Sequence, residues 1–175
     1  MKIEIGPYTD DSDRKIDIQI DNYDTWSMDH TLAMIIVPML KQLKATKQGA
    51  PHVDWEDVPH YLRSTHAEER QYSKNGEVDV HFFDRWDYVI DEMIWAFEQI
   101  VEDDDSQFYS GESDRITVPV DKDGNEVDSD NAEFYEWRTG PNDTFEVDYE
   151  GLREHHERIK RGTTLFGKYF QNLWD

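Results

Sequence analysis

Residues 24–47 read DTWSMDHTLAMIIVPMLKQLKATK, and residues 32–40 within this stretch are nine apolar residues in a row. The run is much shorter than the roughly 20 apolar residues that span a membrane, and Lys41, Lys44 and Lys47 follow directly. In a chain in which 33% of the residues are charged, such a run belongs in the core. It predicts a buried central helix against which the other elements pack.

The ends of this helix are marked by residues that favour helix termini. Asp24 and Thr25 can cap its start, and Gly49 with Pro51 predicts its end. Pro38 lies in the interior, where it removes one backbone donor and crowds the carbonyl of the preceding turn. We therefore expect a kink at Pro38, or a break that splits the helix in two.

The spacing of the apolar residues predicts how much of this helix is buried. One face carries Met28, Leu32, Ile35, Met39 and Leu43. Ile36 and Leu40 widen that face, whereas Met34 and Val37 lie toward the opposite side. We therefore expect neighbouring elements to cover the middle of the helix almost all round.

The composition limits the classes of partner. The formal net charge of the 175-residue chain is -22, and its field repels nucleic acid phosphates and anionic lipid head groups. The same field attracts basic protein surfaces and cations. We therefore expect a protein partner with a basic surface, no direct nucleic acid partner and no membrane partner. The sequence leaves the oligomeric state open.

Two residue patterns that are absent from the sequence limit the kinds of reactive site that the chain can hold. The chain has no cysteine, which excludes disulfides, thiolate zinc sites and cysteine nucleophiles. It contains no Gly-x-Ser-x-Gly motif and no phosphate-binding glycine-rich loop, so enzymatic activity has little support from motifs. Residues 1–11, MKIEIGPYTDD, hold no apolar signal region, which predicts a protein made and used inside a cell.

The remaining pattern predicts an α+β fold in a single domain over residues 1–175. Three main helices pack with short antiparallel strands and hairpins. The second and third helices are predicted over residues 82–101 and 149–174, where apolar residues recur at helical spacing. The predicted strands are residues 2–5, 15–20, 116–120, 134–138 and 144–147.

Turn signals predict how these strands pair. Residues 10–13 join the first two strands, and a turn at residues 123–124 follows the third. Residues 140–143 join the last two strands into another hairpin. Residues 64–80 and 102–131 are expected to be rich in loops, because they are polar and contain turn-forming residues.

Negative charge is concentrated in one part of the chain. Residues 77–150 hold 24 Asp and Glu against 4 Lys and Arg, a difference of 20 charges. Four carboxylates fall on one flank of the helix predicted over residues 82–101, and we name them the acidic ridge: Asp84, Asp87, Asp91 and Glu98. Tyr88 and Trp95 lie beside the ridge, which suits a protein interface.

A divalent cation is the alternative occupant of such a ridge. One helix rarely brings carboxylates to a common point, so a second element would have to supply ligands. The weak metal-ligand candidates are Asp24, Asp29, His30, His155 and His156. The Glu-x-x-His pairs of di-iron bundles are missing from the sequence. Residues 121–130, DKDGNEVDSD, resemble a calcium loop, but their glycine is at the fourth position and a calcium loop requires it at the sixth. We therefore expect no cofactor, with a divalent cation as the alternative.

Several stretches are similar to one known group of proteins. They are IDNYDTWSMDHTLAMIIVPMLKQLK at 20–44, GAPHVDWEDVP at 49–59, WDYVIDEMIWAFEQI at 86–100, QFYSGE at 107–112, GPNDTFEVD at 140–148 and LFGKYFQNLWD at 165–175. Together they resemble a family of proteins encoded by tailed bacteriophages that has no assigned activity. The resemblance implies a product of infection, located in the cytoplasm of the infected bacterial cell or in the virion, and it gives no residue a role.

These features predict a non-enzymatic phage accessory protein that binds a host or phage protein, as in host takeover. The candidate interface residues are Asp84, Asp87, Tyr88, Asp91, Trp95 and Glu98. One alternative is a structural component of the virion, in the head or neck. Another is a metal-dependent hydrolase that uses carboxylates and histidines, or a protein that sequesters a nucleotide signal. The interface hypothesis requires that the ridge carboxylates are not neutralised by lysine or arginine of the same chain.

Overall fold

The structure is a computed structural model that describes residues 1–7 and 14–174, and its elements confirm the predicted α+β class. The helices are α1 (Met28–Thr46), α2 (His66–Asn75), α3 (Phe82–Glu102) and α4 (Tyr149–Lys168). The strands are β1 (Lys2–Ile5), β2 (Ile16–Gln19), β3 (Tyr109–Ser110), β4 (Arg115–Val120), β5 (Phe134–Thr139) and β6 (Glu146–Val147). No helix in this described part of the chain is both long and apolar enough to cross a membrane.

The chain forms two compact units. Unit 1 comprises Met1–Asp103 and Glu157–Asp175, and unit 2 comprises Asp104–His156. The single domain over residues 1–175 stays a prediction, and the two units are described separately below.

The core of unit 1 is built on α3. Its predicted apolar face is buried, through Trp86, Val89, Ile90, Met93 and Phe97. Phe82 and Ile100, near the two ends of this face, are half-buried. Val53, Val58 and Leu62 join the same cluster from the segment that follows α1. The strong helical periodicity of α3 therefore predicts its buried side correctly.

In contrast, α1 is much less buried than its sequence predicts. Within it, Ala33 and Leu40 are buried, and both lie on the side that packs in the core cluster. The face predicted to form the core is largely exposed, since Met28, Leu32 and Met39 are exposed. The prediction of a helix covered almost all round is therefore wrong. A run that is apolar on every side does not reveal which side meets the core.

The helix α1 also starts and continues differently from the prediction. It runs without interruption through Pro38, so of the two expected alternatives the break is wrong and the kink stays a prediction. Thr25 belongs to a preceding 3-10 turn, Asn22–Thr25. Within this turn the Asp24 carboxylate accepts hydrogen bonds from the Asp21 amide at 2.7 Å and from the amino terminus at 3.1 Å. Asp24 therefore caps the 3-10 turn and not α1.

The amino-terminal strands and α2 complete unit 1. β1 and β2 pair antiparallel as predicted, and the turn predicted at residues 10–13 lies outside the described residues. Within the segment expected to be a loop, α2 forms a regular helix. The amide of Thr65 donates to the Glu68 carboxylate at 2.7 Å, and Thr65 Oγ1 accepts from the Glu68 amide at 3.3 Å. This reciprocal capping box fixes the start of α2.

Unit 2 contains two antiparallel strand pairs. β4 pairs with β5, and β3 pairs with β6. The predicted pairing of residues 134–138 with residues 144–147 is therefore wrong, because each strand has its partner earlier in the chain. The turn predicted at residues 123–124 is confirmed. It is closed by the Asp121 carboxylate, which accepts from the Asp123 and Asn125 amides at 2.9 and 3.0 Å.

Candidate functional site

The acidic ridge lies on α3, but lysines of the same chain neutralise most of it. The three pairs are Lys47 with Asp87 at 2.8 Å, Lys44 with Asp91, and Lys41 with Glu98 at 2.6 Å. We name them the lysine ladder. Its order shows that α1 and α3 run antiparallel. The fourth ridge carboxylate, Asp84, lies 3.5 Å from the ring of His81. Lysines thus neutralise three of the four ridge carboxylates, which weakens the condition that the interface hypothesis sets, and the interface at these residues stays a prediction.

The two aromatic residues of the predicted interface are also engaged within unit 1. Arg161 donates a hydrogen bond to the Tyr88 hydroxyl at 3.2 Å. The guanidinium of Arg158 lies 3.8 Å from the centre of the Trp95 ring, in cation–π geometry. Burial, with the nearby Glu92 charge, raises the pKa of Tyr88. Tyr88 and Trp95 therefore line the contact between α3 and α4.

Sequence reasoning missed the residue at the centre of this contact, Glu92. Arg158 donates to its carboxylate at 2.8 Å, and Arg161 donates to the other oxygen. Burial would raise the pKa of the Glu92 carboxyl, but the two arginines outweigh burial and hold the pKa below its usual value. A signal existed, since Glu92 interrupts an otherwise apolar face and the arginines are three residues apart on a later helix.

A glycine allows the two helices to come close enough for this contact. A Cβ atom at Gly162 would lie 2.4 Å from Ala96 Cβ and 2.5 Å from the carbonyl oxygen of Glu92. Only a residue without a side chain fits this approach of α4 to α3. Gly162 therefore sets the helix spacing at which the arginine pair reaches Glu92.

A second buried ion pair anchors the start of α3. Arg85 donates to both oxygens of Asp79, at 3.0 and 2.6 Å, and to the carbonyl of Leu62 at 3.0 Å. Ser64 donates to the same carboxylate at 2.8 Å. Burial opposes ionisation of Asp79, yet the hydrogen bonds from Arg85 and Ser64 hold its pKa below the usual value. The pair ties the segment after α1 to α3.

The end of α4 is fastened to the same segment. Lys168 lies between Asp54 and Asp57, at 2.7 and 2.6 Å. The hydroxyl of Tyr169 donates to Asp57 at 2.6 Å and accepts from the Asp54 amide at 3.0 Å. Burial, and then the bond to Asp57, raise the pKa of Tyr169 to about 12, so the phenol keeps its proton at neutral pH. These charged groups stabilise packing within unit 1.

The weak metal-ligand candidates of unit 1 do not converge on a common point. Asp24 binds the amino terminus, and Asp29 is exposed in the first turn of α1. The His30 ring lies 3.2 Å from the carbonyl of Val101. Across the described residues 1–7 and 14–174, no group of three or more His, Asp or Glu is arranged to hold a metal ion.

The histidine candidates of unit 2 have other neighbours. His156 lies 3.3 Å from the Asp105 carboxylate, and the His155 ring is tilted against Phe108 with 5.2 Å between ring centres. Both histidines thus contact the segment that leads into β3. A divalent cation stays an alternative that rests on the sequence alone.

Unit 2 exposes two aromatic side chains next to each other on β5. Trp137 is 74% exposed and Tyr135 is 60% exposed. They are two positions apart on one strand and so point to the same side. Their cross-strand neighbours on β4 are Thr117, opposite Trp137, and Pro119, opposite Tyr135. We name these four residues the hairpin face.

The opposite side of the hairpin explains why this face points outward. Val118 and Val120 alternate with Thr117 and Pro119 along β4, and both valines are buried. A shift of one residue in the register would bury the polar positions and expose the valines. The sequence contains this signal as an alternation in β4, but the turn-forming residues 140–143 predict a different partner for β5.

The charge of unit 2 is far from balance. Its residues include 16 Asp and Glu against 4 Lys and Arg, a difference of 12 negative charges. One of the four cations, Arg138, already lies between Glu126 and Glu136, at 3.4 and 3.1 Å. Because four cations cannot neutralise sixteen anions, the unit keeps a large excess of negative charge. Exposed aromatic rings in such a field suit the binding of cationic groups.

Comparisons with protein-family models, with curated proteins and with solved structures gave no match to this chain.

Proposed function

We propose that this chain is a non-enzymatic accessory protein that binds a Lys- and Arg-rich protein segment through the hairpin face of unit 2. The observation behind the proposal is the exposed pair Trp137 and Tyr135 in a unit with an excess of 12 negative charges. The proposal keeps the acidic, aromatic-flanked surface expected from the sequence. It moves that surface from α3, where lysines occupy the carboxylates, to unit 2.

The hairpin face offers two kinds of interaction to a cationic segment. A guanidinium or ammonium group over an exposed Trp or Tyr ring gains about 0.5–1 kcal/mol, and about 2 kcal/mol when water is excluded. Thr117 and Pro119, the cross-strand neighbours of the two rings, are small side chains, so an extended segment could lie on β4 beside the rings. The surrounding carboxylates supply long-range attraction, which increases the association rate and is screened by salt.

The biological setting of the proposal comes from the sequence resemblance. A tailed-phage accessory protein acts in the cytoplasm of the infected bacterial cell, on a host or phage protein. Nucleic-acid-binding proteins of either source carry the Lys- and Arg-rich surfaces that the hairpin face would recognise. The partner is therefore expected to be basic, whereas nucleic acid itself is repelled.

A peptide titration tests the proposed binding. A fluorescently labelled peptide of alternating Arg and Gly should bind the full chain, and a peptide with Glu in place of Arg should not. The dissociation constant of the Arg peptide should rise at least about tenfold between roughly 50 and 300 mM NaCl, because the attraction between opposite charges is screened. Absence of binding at low salt would reject the proposal.

Aromatic variants separate the hairpin face from general charge attraction. Trp137→Ala and Tyr135→Ala should each weaken binding by about tenfold, as expected for aromatic contacts at the centre of an interface. Trp26→Ala is the matched control, because Trp26 is 83% exposed but belongs to unit 1. If all three variants bind equally well, the peptide recognises only the net charge and the hairpin face is not the site.

A structural role in the virion is the second candidate function. It is favoured by the exposed apolar residues of unit 1, among them Tyr23, Trp26 and Phe170, which subunit contacts would bury. Mass spectrometry of purified particles distinguishes the two candidates. A virion component is present at a fixed number of copies per particle, whereas an accessory protein of the cytoplasm is absent from particles.

A further inference from the structure

The outward side of α1 carries no charge. The uncharged positions, which we name the α1 outer stripe, are Met28, Thr31, Leu32, Ile35, Met39, Gln42, Leu43 and Thr46. At 100° per residue they fall within about 120° of one another. Met39 is 66% exposed, and Met28 and Leu32 are exposed as well. The lysines of α1, Lys41 and Lys44, both turn toward α3. The two lysines of α1 therefore lie on the side of α3, whereas the side turned away from α3 carries exposed uncharged residues, unlike an ordinary surface helix.

A groove continues this surface along one edge of α1. It has a volume of about 1020 Å³ and lies between α1 and the carboxyl-terminal segment of unit 1. Leu32, Met39 and Leu43 form one wall, and Phe166 and Phe170 belong to the other. None of its lining residues is charged. In a chain with 33% charged residues, an uncharged surface of this extent indicates a covered one.

Electrostatics favours a second copy of this chain as the cover. A basic partner would be drawn to the carboxylates of unit 2, whereas an uncharged surface offers such a partner no attraction. Two copies with a net charge of -22 each repel one another and can approach only where charge is absent or balanced. The α1 outer stripe meets this condition, because it is uncharged and the lysine ladder beside it pairs three cations with three carboxylates.

The spacing of the stripe also suits pairing with itself. Its positions are placed symmetrically about residue 37, so an antiparallel copy brings Ile35 opposite Met39 and Leu32 opposite Gln42. The 19 residues of α1 extend over about 28 Å. A standard interface buries on the order of 800 Å² per partner, so the contact must include the groove wall at Phe170 as well as the length of α1.

We infer that the α1 outer stripe and the adjoining groove form an isologous dimer interface, in which α1 of one copy packs antiparallel on α1 of a second copy. The interface is uncharged and lies entirely within unit 1, so it is separate from the hairpin face and does not depend on the proposed function. Met side chains at the contact can adjust to one another, which suits the packing of one copy of α1 on another.

Sedimentation of the full chain tests the inference. Between about 1 and 200 µM it should pass from monomer to dimer, and the dimer should become several-fold tighter between roughly 50 and 500 mM NaCl, because salt screens the repulsion between the copies. This salt effect is opposite in sign to that expected for the hairpin face. A chain that stays monomeric over this range in both salts overturns the inference.

Charge placed in the stripe should break the dimer. Met39→Glu puts two like charges near the symmetry axis and should raise the dimer dissociation constant at least tenfold. Gln42→Glu, an isosteric change at an exposed position, should raise it by a smaller factor without any risk to folding. Ile16→Glu is the control, because Ile16 is 62% exposed on β2 and lies outside the stripe. The inference is overturned if the dimer dissociation constant is unchanged in both stripe variants. It is also overturned if Ile16→Glu raises that constant as much as the stripe variants do.

Discussion

The two units of this chain hold negative charge in different ways. Unit 1 has 24 Asp and Glu against 14 Lys and Arg, and three of the four ridge carboxylates are paired with lysines. Unit 2 has 16 Asp and Glu against 4 Lys and Arg, and the two aromatic residues of its hairpin face are exposed. The paired carboxylates of unit 1 therefore act on the chain itself. The excess carboxylates of unit 2 contribute to a field that can attract a basic partner.

The difference shows why net charge alone locates no binding surface. A formal charge of -22 counts Glu92 and Asp130 equally. Yet Glu92 is buried beneath two arginines, whereas Asp130 lies exposed in unit 2. Pairing and exposure decide whether a carboxylate stabilises the fold or is available to a partner, and variants of the two kinds should separate accordingly.

The largest expected difference concerns the buried pair of unit 1. Asp79→Asn should lower the free energy of unfolding by about 3–5 kcal/mol, because it leaves the Arg85 charge buried without a counterion. Asp130→Asn, the control in unit 2, should change it by no more than about 0.5 kcal/mol. Urea unfolding followed by circular dichroism measures both. Equal losses of unfolding free energy in the two variants would show that paired carboxylates of unit 1 stabilise the fold no more than exposed carboxylates of unit 2.

The helix contact in unit 1 should give the next largest effect. Gly162→Ala should cost about 1–3 kcal/mol of unfolding free energy, because the new Cβ atom meets Ala96 and the helices must separate. Gly167→Ala is the matched control on the same helix. A Cβ atom there has no neighbour within 4 Å, so higher helix propensity should stabilise the chain by up to about 1 kcal/mol. Two changes of the same sign would contradict the close packing at Gly162.

The contribution of the Glu92 ion pairs to stability should depend on pH. The pKa of Glu92 is lower in the folded chain than in the unfolded chain. Its ion pairs therefore stabilise the fold fully above the unfolded pKa of about 4.3. This stabilisation is lost as the pH falls through the folded pKa. Glu92→Gln should therefore cost about 1–2 kcal/mol at pH 7. The difference from wild type should shrink at about pH 3, in urea titrations at both pH values. A difference that does not change with pH would contradict the ionised pair.

The sequence predicted α3 well and α1 poorly, for one physical reason. In α3, charged and apolar residues alternate at helical spacing, so the pattern itself separates the buried side from the exposed side. In α1, residues 32–40 are apolar on every side, and the pattern has no contrast. Complementary spacing was the missed signal, since Lys41, Lys44 and Lys47 match the ridge carboxylates when the helices run antiparallel.

Local signals explain the remaining differences. The helix α2 is polar throughout, so hydrophobic periodicity gave no hint of it, although the capping box at Thr65 and Glu68 was visible in the sequence. In unit 2 a turn signal at residues 140–143 suggested a hairpin between the flanking strands. Each strand found its partner farther away, which local turn preferences cannot predict. The hairpin face was missed for the same reason, because Trp137 was assigned to the wrong pair.

The smallest expected effect is the coupling between one lysine and one carboxylate of the lysine ladder. It tests directly whether the ridge carboxylates of unit 1 are paired. Lys44→Gln, Asp91→Asn and the double variant form a thermodynamic cycle for one rung. Both side chains are more than one third exposed, so the coupling free energy should be only about 0.2–1 kcal/mol and should fall toward zero at high salt. Urea unfolding of the four proteins at low and high salt measures this coupling free energy.

A coupling free energy near zero at both salt concentrations would show that Lys44 does not neutralise Asp91. Asp91 would then be available to a partner, and the ridge would compete with unit 2 for a basic protein. A coupling that salt screens would instead place the ladder among the internal contacts of unit 1, and the hairpin face would keep the stronger attraction for that partner.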